Sequence, residues 1–196
     1  MGRDGAPSEG ERPVRADARR NRARILEAAE AVFAEQGASA STEAVAARAG
    51  VAIGTVFRHF PSKPELLKAV VMNLQARLVA EADVMVGERE AVGALFEFCE
   101  RVMDTGARNR AVFARLAETG VRVHVGDALA GLRPAIEVLL ERARQAGAVR
   151  GDLQVSELIA LLAALCQEAM ADGWDEPFRR RALGILFDGM RPTAEP

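Results

Sequence analysis

The chain has 196 residues, of which 49% are hydrophobic and 28% charged, a length that allows one large domain or two small ones with a substantial core. The formal net charge of −2 divides into +3 for residues 1–80 and −5 for the remainder, so the basic end is N-terminal. Because no apolar run reaches membrane-spanning length and no signal peptide is visible, a membrane or secreted class is excluded and we expect a cytoplasmic protein.

The N-terminal region is predicted to be an arm followed by a helix. Residues 1–16 are rich in Gly, Pro, Arg and Glu and have almost nothing to bury, so we expect them to be disordered. A helix is predicted from about Asp17 to Gln36, and Gly37 ends it. Its apolar face consists of Ile25, Ala29, Val32 and Phe33.

Residues 42–63 predict two short helices joined by a tight turn at Gly50. In the second helix Val56 and Phe60 lie four residues apart and can both pack inward. Outward-pointing positions then fall to Thr55, Arg58 and His59. This arrangement is typical of a helix-turn-helix, whose second helix lies in a DNA major groove.

The pattern stays helical from Ser62 to the end of the chain, and no β-strand alternation competes with it. Ser62 is predicted to cap a long helix that continues to about Ala82. Pro134 lies inside the apolar pattern 129–146 and indicates a kink or a later helix start. The apolar patterns of the last two helices span 156–171 and 176–190, with Asp175 as a cap. We therefore predict an all-α fold of about nine helices.

Residues from about Arg20 to Val71 resemble the DNA-binding domain of the tetracycline-repressor (TetR) family of bacterial transcriptional regulators. The resemblance is carried by Ile25-Leu26-x-Ala28-Ala29-x-x-x-Phe33-x-x-x-Gly37, by Val45-Ala46-x-x-Ala49-Gly50-Val51 and by Gly54-Thr55-Val56-Phe57-x-His59-Phe60-x-x-Lys63. The C-terminal half is similar only in outline. The resemblance implies a three-helix DNA-binding domain over residues 17–64 and a helical effector-binding and dimerisation domain over 65–196.

The resemblance also implies roles for individual residues. Thr42 would cap the second helix and bond a phosphate, Gly54 and Thr55 would approach base edges, and His59 and Lys63 would contact phosphates. The full set of expected DNA-binding residues is Arg19, Arg20, Thr42, Arg48, Ile53, Gly54, Thr55, Phe57, Arg58, His59 and Lys63. Phe57 replaces the family's usual Tyr, and Ala52 replaces a frequent Ser that would cap the recognition helix.

Aromatic and soft side chains recur in the C-terminal half, where the family commonly binds a small effector. We expect a small, largely apolar effector, although core packing explains most of these residues equally well. The candidate ligand-binding residues are Phe96, Cys99, Met103, Phe113, Leu116, His124, Met170 and Trp174. For His124, between two predicted helices, a loop or core position is the alternative.

Metal binding and catalysis find little support in the sequence. The two cysteines, Cys99 and Cys166, lie in apolar helical patterns and are predicted to be buried free thiols. With two His and two Cys widely spread, no metal-ligand spacing exists, and no Gly-rich phosphate loop follows a strand. We expect no cofactor, no metal and no catalytic residues, and hence no enzyme.

The helix over residues 156–171 is apolar around more of its circumference than a surface helix requires. Together with the helix over 176–190 it is predicted to form a four-helix dimer interface, because helix-turn-helix proteins usually read two half-sites. The favoured function is a homodimeric repressor that binds a palindromic operator and is released by its effector. The alternative is a regulator whose C-terminal domain is a protein-interaction module. An all-helical enzyme would need clustered titratable residues that the sequence does not display.

Overall fold

The computed structural model describes residues 11–88, 91–118 and 125–192, and within these ranges the chain forms ten α-helices and one short 3-10 turn, with no β-strand. The helices are α1 (Glu11–Gln36), α2 (Thr42–Ala49), α3 (Ile53–His59), α4 (Lys63–Glu88), α5 (Ala91–Arg108), α6 (Arg110–Glu118), α7 (Val125–Ala130), α8 (Arg133–Gln145), α9 (Val155–Ala171) and α10 (Glu176–Met190). The predicted all-α class is confirmed. Among the described helices, none is both long and apolar enough to cross a membrane.

The chain divides into two compact units between Val70 and Val71. In the N-terminal unit α1 packs against α2, and α2 packs against α3. All four predicted core residues of α1 are buried, because their spacing of three and four residues places them on one helix face. The later part of this unit also contributes buried apolar side chains: Val45, Ala46, Ala49, Val56, Phe60, Leu66 and Leu67.

Helix α1 begins at Glu11, six residues before the predicted start at Asp17. The predicted arm is therefore too long at its C-terminal end, and its residues 1–10 lie outside the described part of the chain. Pro13 falls in the first turn, where a missing N–H removes no helical hydrogen bond. A Pro-containing, apolar-poor segment can thus be helical, although its composition resembles that of an arm.

The C-terminal unit is built around α5, which packs against α8, α9 and α10. One face of α5 is buried in the middle of the helix, through Leu95, Phe98, Cys99, Val102 and Met103. These positions follow the spacing of an amphipathic helix that buries one stripe. The stripe explains why α5 lies at the centre of the hydrophobic core of this unit.

The predicted apolar stretch 129–146 forms two helices. Helix α7 ends at Ala130 and α8 begins at Arg133, with Pro134 in its first turn. The later-start interpretation of Pro134 is therefore correct, since the first turn is where a helix tolerates proline. This division raises the number of helices from the predicted nine to ten in the described ranges.

Both cysteines are buried and unpaired, as predicted. Burial raises the pKa of the Cys99 thiol to about 12, with smaller contributions from the nearby Cys166 and Glu100. Burial likewise raises the pKa of the Cys166 thiol to about 12. Thiolate formation is disfavoured because a charge in an apolar core loses its hydration. Both side chains are therefore neutral at physiological pH.

The raised thiol pKa values predict a loss of stability in alkaline solution. Well below pH 9 the thiols are protonated in both the folded and unfolded states, so they add no pH dependence to the free energy of unfolding there. As the pH rises from 9 towards 12, only the unfolded state releases these protons, and each thiol then lowers stability by up to about 1.4 kcal/mol per pH unit. Denaturant unfolding of the wild type and of a Cys99→Ala/Cys166→Ala variant between pH 7 and 10.5 measures this difference. Parallel pH profiles for the two proteins would contradict it.

Candidate nucleic-acid interface and buried cavity

The turn between α2 and α3 is set by Gly50, whose φ of +65° lies in the left-handed region. Its N–H donates to the carbonyls of Ala46 and Ala47, and the Val51 N–H donates to the Ala46 carbonyl at 3.1 Å. These bonds satisfy carbonyls that the end of α2 leaves without helical partners. The carbonyl of Ala49, at the end of α2, accepts a hydrogen bond from Nη2 of Arg24 at 2.6 Å. Helix α1 thus holds the end of α2 through this guanidinium.

Helix α2 is capped by Ser41 and not by Thr42, which corrects the predicted cap. The Ser41 backbone is extended, and its Oγ accepts from the Ala44 N–H at 3.1 Å. Thr42 is the first helical residue and is half-buried. Ser and Thr are both good capping residues, so adjacent candidates cannot be separated without the backbone geometry.

Helix α3 buries little and presents most of its surface outward. Val56 is its one fully buried residue, and Phe60, directly after its last turn, is buried as well. On the opposite side the exposed residues are Ile53, Gly54, Phe57 and Arg58. Of the three residues predicted to point outward, only Arg58 is exposed; Thr55 and His59 are half-buried on the flank, because they adjoin the inward positions of Val56 and Phe60 in the chain. Since a single inward residue and the following Phe60 attach the helix, its outer face is free to meet a partner.

Two features of α3 agree with expectations from the sequence. A Cβ added to Gly54 would meet no atom of this chain within 4 Å, so close approach from outside is unhindered there. Ala52 occupies the N-cap position and provides no side-chain cap. The exposed Phe57, at 45% accessibility, and Ile53, one turn earlier, form an apolar pair on the outer face.

The predicted phosphate-binding cations differ in how they are held. Exposed ion pairs join Arg20 to Asp17 and Arg48 to Glu35, and such pairs exchange readily because water and salt screen them. Neither Arg19 nor Arg58 forms an ion pair with a residue that the structure describes.

Lys63, the first residue of α4, is anchored to its own unit. Its Nζ donates to the Ala40 carbonyl at 2.6 Å and lies 5.5 Å from the centre of the Phe33 ring. Ala40 immediately precedes the cap of α2, so this bond positions the start of the helix-turn-helix. An ammonium has three donors, and a phosphate contact is compatible with the bond to Ala40.

The C-terminal unit contains an apolar cavity of about 40 Å³. Its described walls come from four residues of α4, three of α5, one of α6, three of α7, two of α9 and the turn after α7. They are Val71, Leu74, Gln75, Leu78, Val102, Thr105, Gly106, Phe113, Val125, Ala128, Leu129, Leu132, Cys166 and Met170. A void of this size holds a few water-sized molecules.

Two family models match this chain. "Bacterial regulatory proteins, tetR family" matches residues 25–70, which include α2 and α3. "Transcriptional regulator SbtR-like, C-terminal domain", a TetR-family model, matches residues 90–192 and so covers more than half of the chain. This chain belongs to the TetR family. It is therefore a DNA-binding transcriptional regulator with a helix-turn-helix.

Individual TetR-family proteins are similar over most of their length. The HTH-type transcriptional repressor Rv3405c of Mycobacterium tuberculosis (strain ATCC 25618 / H37Rv) is 34% identical over 166 residues, covering 83% of this chain and 77% of that protein. A solved TetR transcription regulatory protein from Mycobacterium vanbaalenii is 34% identical with a TM-score of 0.73, covering 92% and 100% of the two chains. A solved gamma-butyrolactone receptor (ArpA-like protein) is 26% identical with a TM-score of 0.60, covering 90% of each chain.

Of the eight predicted ligand-binding residues, the structure places two, Phe113 and Met170, on the cavity walls. The core residues Cys99, Met103 and Leu116 are buried but are not among the described walls. Two aromatic residues pack elsewhere: Phe96 lies edge-on to Phe187 at 3.7 Å between ring centres, and Trp174 lies 4.6 Å from Phe178. His124 lies outside the described residues.

Several cavity residues were missed by the sequence analysis, above all Gln75 and Thr105. Leu74 and Leu78 belong to the predicted apolar stripe of α4, which marks an inward face without saying whether that face meets a void. Gln75 follows Leu74 and is half-buried, so its polarity alone indicates a surface position.

In the described part of the chain, no three His, Cys, Asp or Glu residues group to hold a metal.

Proposed function

We propose that this TetR-family protein is a repressor that binds a palindromic operator as a homodimer and is released by a small, largely apolar effector. The observation that carries the DNA-binding part is the outer face of α3, which combines exposed Gly54, Phe57 and Arg58 with an attachment through Val56. In this proposal α3 is the recognition helix and enters the major groove.

Each predicted DNA-binding residue has a place in this proposal. Gly54 and Thr55 approach base edges, and the exposed Ile53 and Phe57 offer apolar contact to thymine methyl groups. The remaining residues would contact phosphates and so position the protein on the duplex: Arg19, Arg20, Thr42, Arg48, Arg58, His59 and Lys63. The exchangeable ion pairs of Arg20 and Arg48 support this assignment, because DNA phosphates can replace their carboxylate partners.

Alanine variants of Thr55 and His59 test the docking of α3. Each substitution removes one polar contact to DNA, so we expect the operator affinity to fall by about 5- to 30-fold per variant, equivalent to about 1–2 kcal/mol. Fluorescence anisotropy with DNA that flanks the gene measures the affinity, and thermal unfolding shows that the fold is kept. Arg133→Ala, an exposed arginine on α8, is the control. Undiminished affinity in both variants would overturn the docking.

The dimer is supported by an apolar surface on α9 and α10. Leu161 on α9 is 48% exposed and Ile185 on α10 is 69% exposed, and both line a groove of about 700 Å³. Large exposed aliphatic side chains are unfavourable in water and are typical of surfaces that another subunit covers. We propose that α9 and α10 of two subunits form a four-helix interface about a twofold axis.

The effector is proposed to occupy the apolar cavity of the C-terminal unit. Its four α4 residues lie on the same helix that begins at Lys63, directly after the helix-turn-helix in the chain. Effector entry would shift α4, change the separation of the two recognition helices and weaken half-site matching. The structural similarity to a gamma-butyrolactone receptor supports a small-molecule effector. The cavity itself favours this reading over a protein-interaction module.

A further inference from the structure

We propose that the effector is an uncharged molecule with a hydrogen-bond acceptor, and that Gln75 detects this acceptor by exchanging its bond to the Ala128 carbonyl for a bond to the effector. The proposal rests on the effector cavity of the proposed function. It specifies the chemistry of the effector and the helix, α7, that moves when the effector binds. It is carried by the composition of the cavity walls and by the position of the Gln75 amide.

The walls indicate that the ligand carries no charge. Among the described wall residues, none has a carboxylate, an ammonium or a guanidinium group, and the amide of Gln75 and the hydroxyl of Thr105 are the main polar groups. A charged ligand would give up its hydration for apolar surroundings without a counter-charge, which is strongly unfavourable. The Cys166 thiol is neutral because burial raises its pKa to about 12. An uncharged ligand is therefore the class that these walls accept.

Gln75 links the cavity to α7. Its Nε2 donates to the Ala128 carbonyl at 2.6 Å. Helix α7 has only six residues, and Ala128 is among the last four, whose carbonyls lack helical partners. Gln75 thus supplies a hydrogen-bond donor to a carbonyl that the short helix leaves without a helical partner. Gly131 leaves room for this amide, since a Cβ there would stand 3.0 Å from the Gln75 Nε2.

The exchange of partners explains how a small cavity admits a ligand. At about 40 Å³ the void is too small for a molecule of many atoms unless a wall moves. Helix α7 contributes Val125, Ala128 and Leu129 to the walls; it packs against α9 and accepts the bond from Gln75 near its end. A ligand acceptor that takes over the Gln75 N–H releases the end of α7 and so enlarges the cavity. Binding energy from the new bond and from apolar burial offsets the loss of the old one.

Two probes with equal numbers of non-hydrogen atoms test the ligand class on the full-length protein. These are 2-octanone, which is neutral with one acceptor, and heptanoate at pH 8, which is charged. Calorimetry without DNA is expected to show binding of 2-octanone and at least about tenfold weaker binding of heptanoate. Equal affinity for the two probes, or no binding of the ketone, would overturn the proposal.

The role of Gln75 is tested with Gln75→Met, which keeps the side-chain length but removes the N–H donors. Because the bond to the ketone replaces the bond to Ala128, and Met can form neither, the affinity for 2-octanone is expected to stay within about threefold of the wild-type value. The matched control is Gln145→Met, the same change at an exposed position of α8, which should leave the affinity unchanged. Hydrogen exchange at the end of α7, from Leu129 to Leu132, should become faster in wild-type protein with the ketone and in Gln75→Met without it. Unchanged hydrogen exchange in both cases would overturn the proposal, and so would a fall of about tenfold or more in ketone affinity in Gln75→Met, because such a fall means that the two bonds of Gln75 add instead of replacing each other.

Failure of this inference and failure of the proposed function give different results. If 2-octanone binds through Gln75 but leaves the operator complex intact, the cavity chemistry stands and release by an effector occupying this cavity is refuted. If a charged compound binds in the cavity and releases the operator while the ketone does not bind, the repressor function stands and the inference is wrong.

Discussion

Replacing Ile185 with Asp is expected to convert the dimer into monomers and to lower operator affinity by at least about 100-fold. Twofold symmetry would place two such carboxylates in one interface, where both lose hydration and repel each other. A monomer binds only one half-site. In a dimer, binding of the first recognition helix raises the effective concentration of the second at its own half-site, and a monomer lacks this gain in affinity. Light scattering measures the oligomeric state at micromolar concentration, and fluorescence anisotropy measures the affinity for the flanking DNA.

The control for this experiment is Val138→Asp. Val138 is a 47%-exposed aliphatic residue on α8 that does not line the groove between α9 and α10. The same change of side chain there should leave both the dimer and the operator affinity intact. A dimer that survives Ile185→Asp would place the subunit interface elsewhere, and a wild-type monomer would refute the four-helix interface altogether.

Replacing Gly50 with Ala is expected to lower the stability of the N-terminal unit by about 2–3 kcal/mol. The left-handed backbone costs a non-glycine residue about 1–2 kcal/mol. The new Cβ would also stand 2.8 Å from the Arg24 Nη2, so the guanidinium must move away from the Ala49 carbonyl. The Arg24 side chain is largely exposed, so water weakens this charged hydrogen bond, and its loss adds about 1 kcal/mol. Chemical denaturation followed by circular dichroism measures the loss.

Gly37→Ala separates the two contributions to this effect. Gly37 also has a positive φ, of +56°, but a Cβ there would meet nothing within 4 Å. Both substitutions change the entropy of the unfolded chain equally, so their difference reports the displacement of Arg24. We expect Gly37→Ala to be milder by about 1 kcal/mol or more. Equal destabilisation by both variants would show that the Arg24 bond contributes nothing.

Much of the N-terminal unit follows from rules that act over a few residues. The α1 face, the turn at Gly50 and the inward positions of Val56 and Phe60 depend on helical spacing and on backbone preference, and all are confirmed. Such local rules do not decide between two adjacent residues that can both cap the same helix. Ser41 and Thr42 can each cap a helix, and only the extended backbone at Ser41 decides between them.

The ends of helices were predicted less well than their faces. Helix α1 extends to Glu11 because helix propensity and a tolerated proline outweigh the lack of residues to bury. Apolar residues recur throughout residues 129–146, yet the helix is interrupted there: α7 ends at Ala130 and α8 begins at Arg133. Periodicity reports which side of a helix is buried, and it changes little across a one-turn interruption.

The sequence by itself determined the all-α class, the family, the inward positions of Val56 and Phe60 and the burial of both cysteines, because each depends on residues close together in the chain. Only the tertiary structure decided where the cavity lies and which side chains reach it. Its walls come from positions as far apart as Val71 and Met170, and Gln75 meets a carbonyl 53 residues away. A helical stripe specifies that a face is buried, but whether facing side chains fill the space or leave a void depends on how five separate helices pack together.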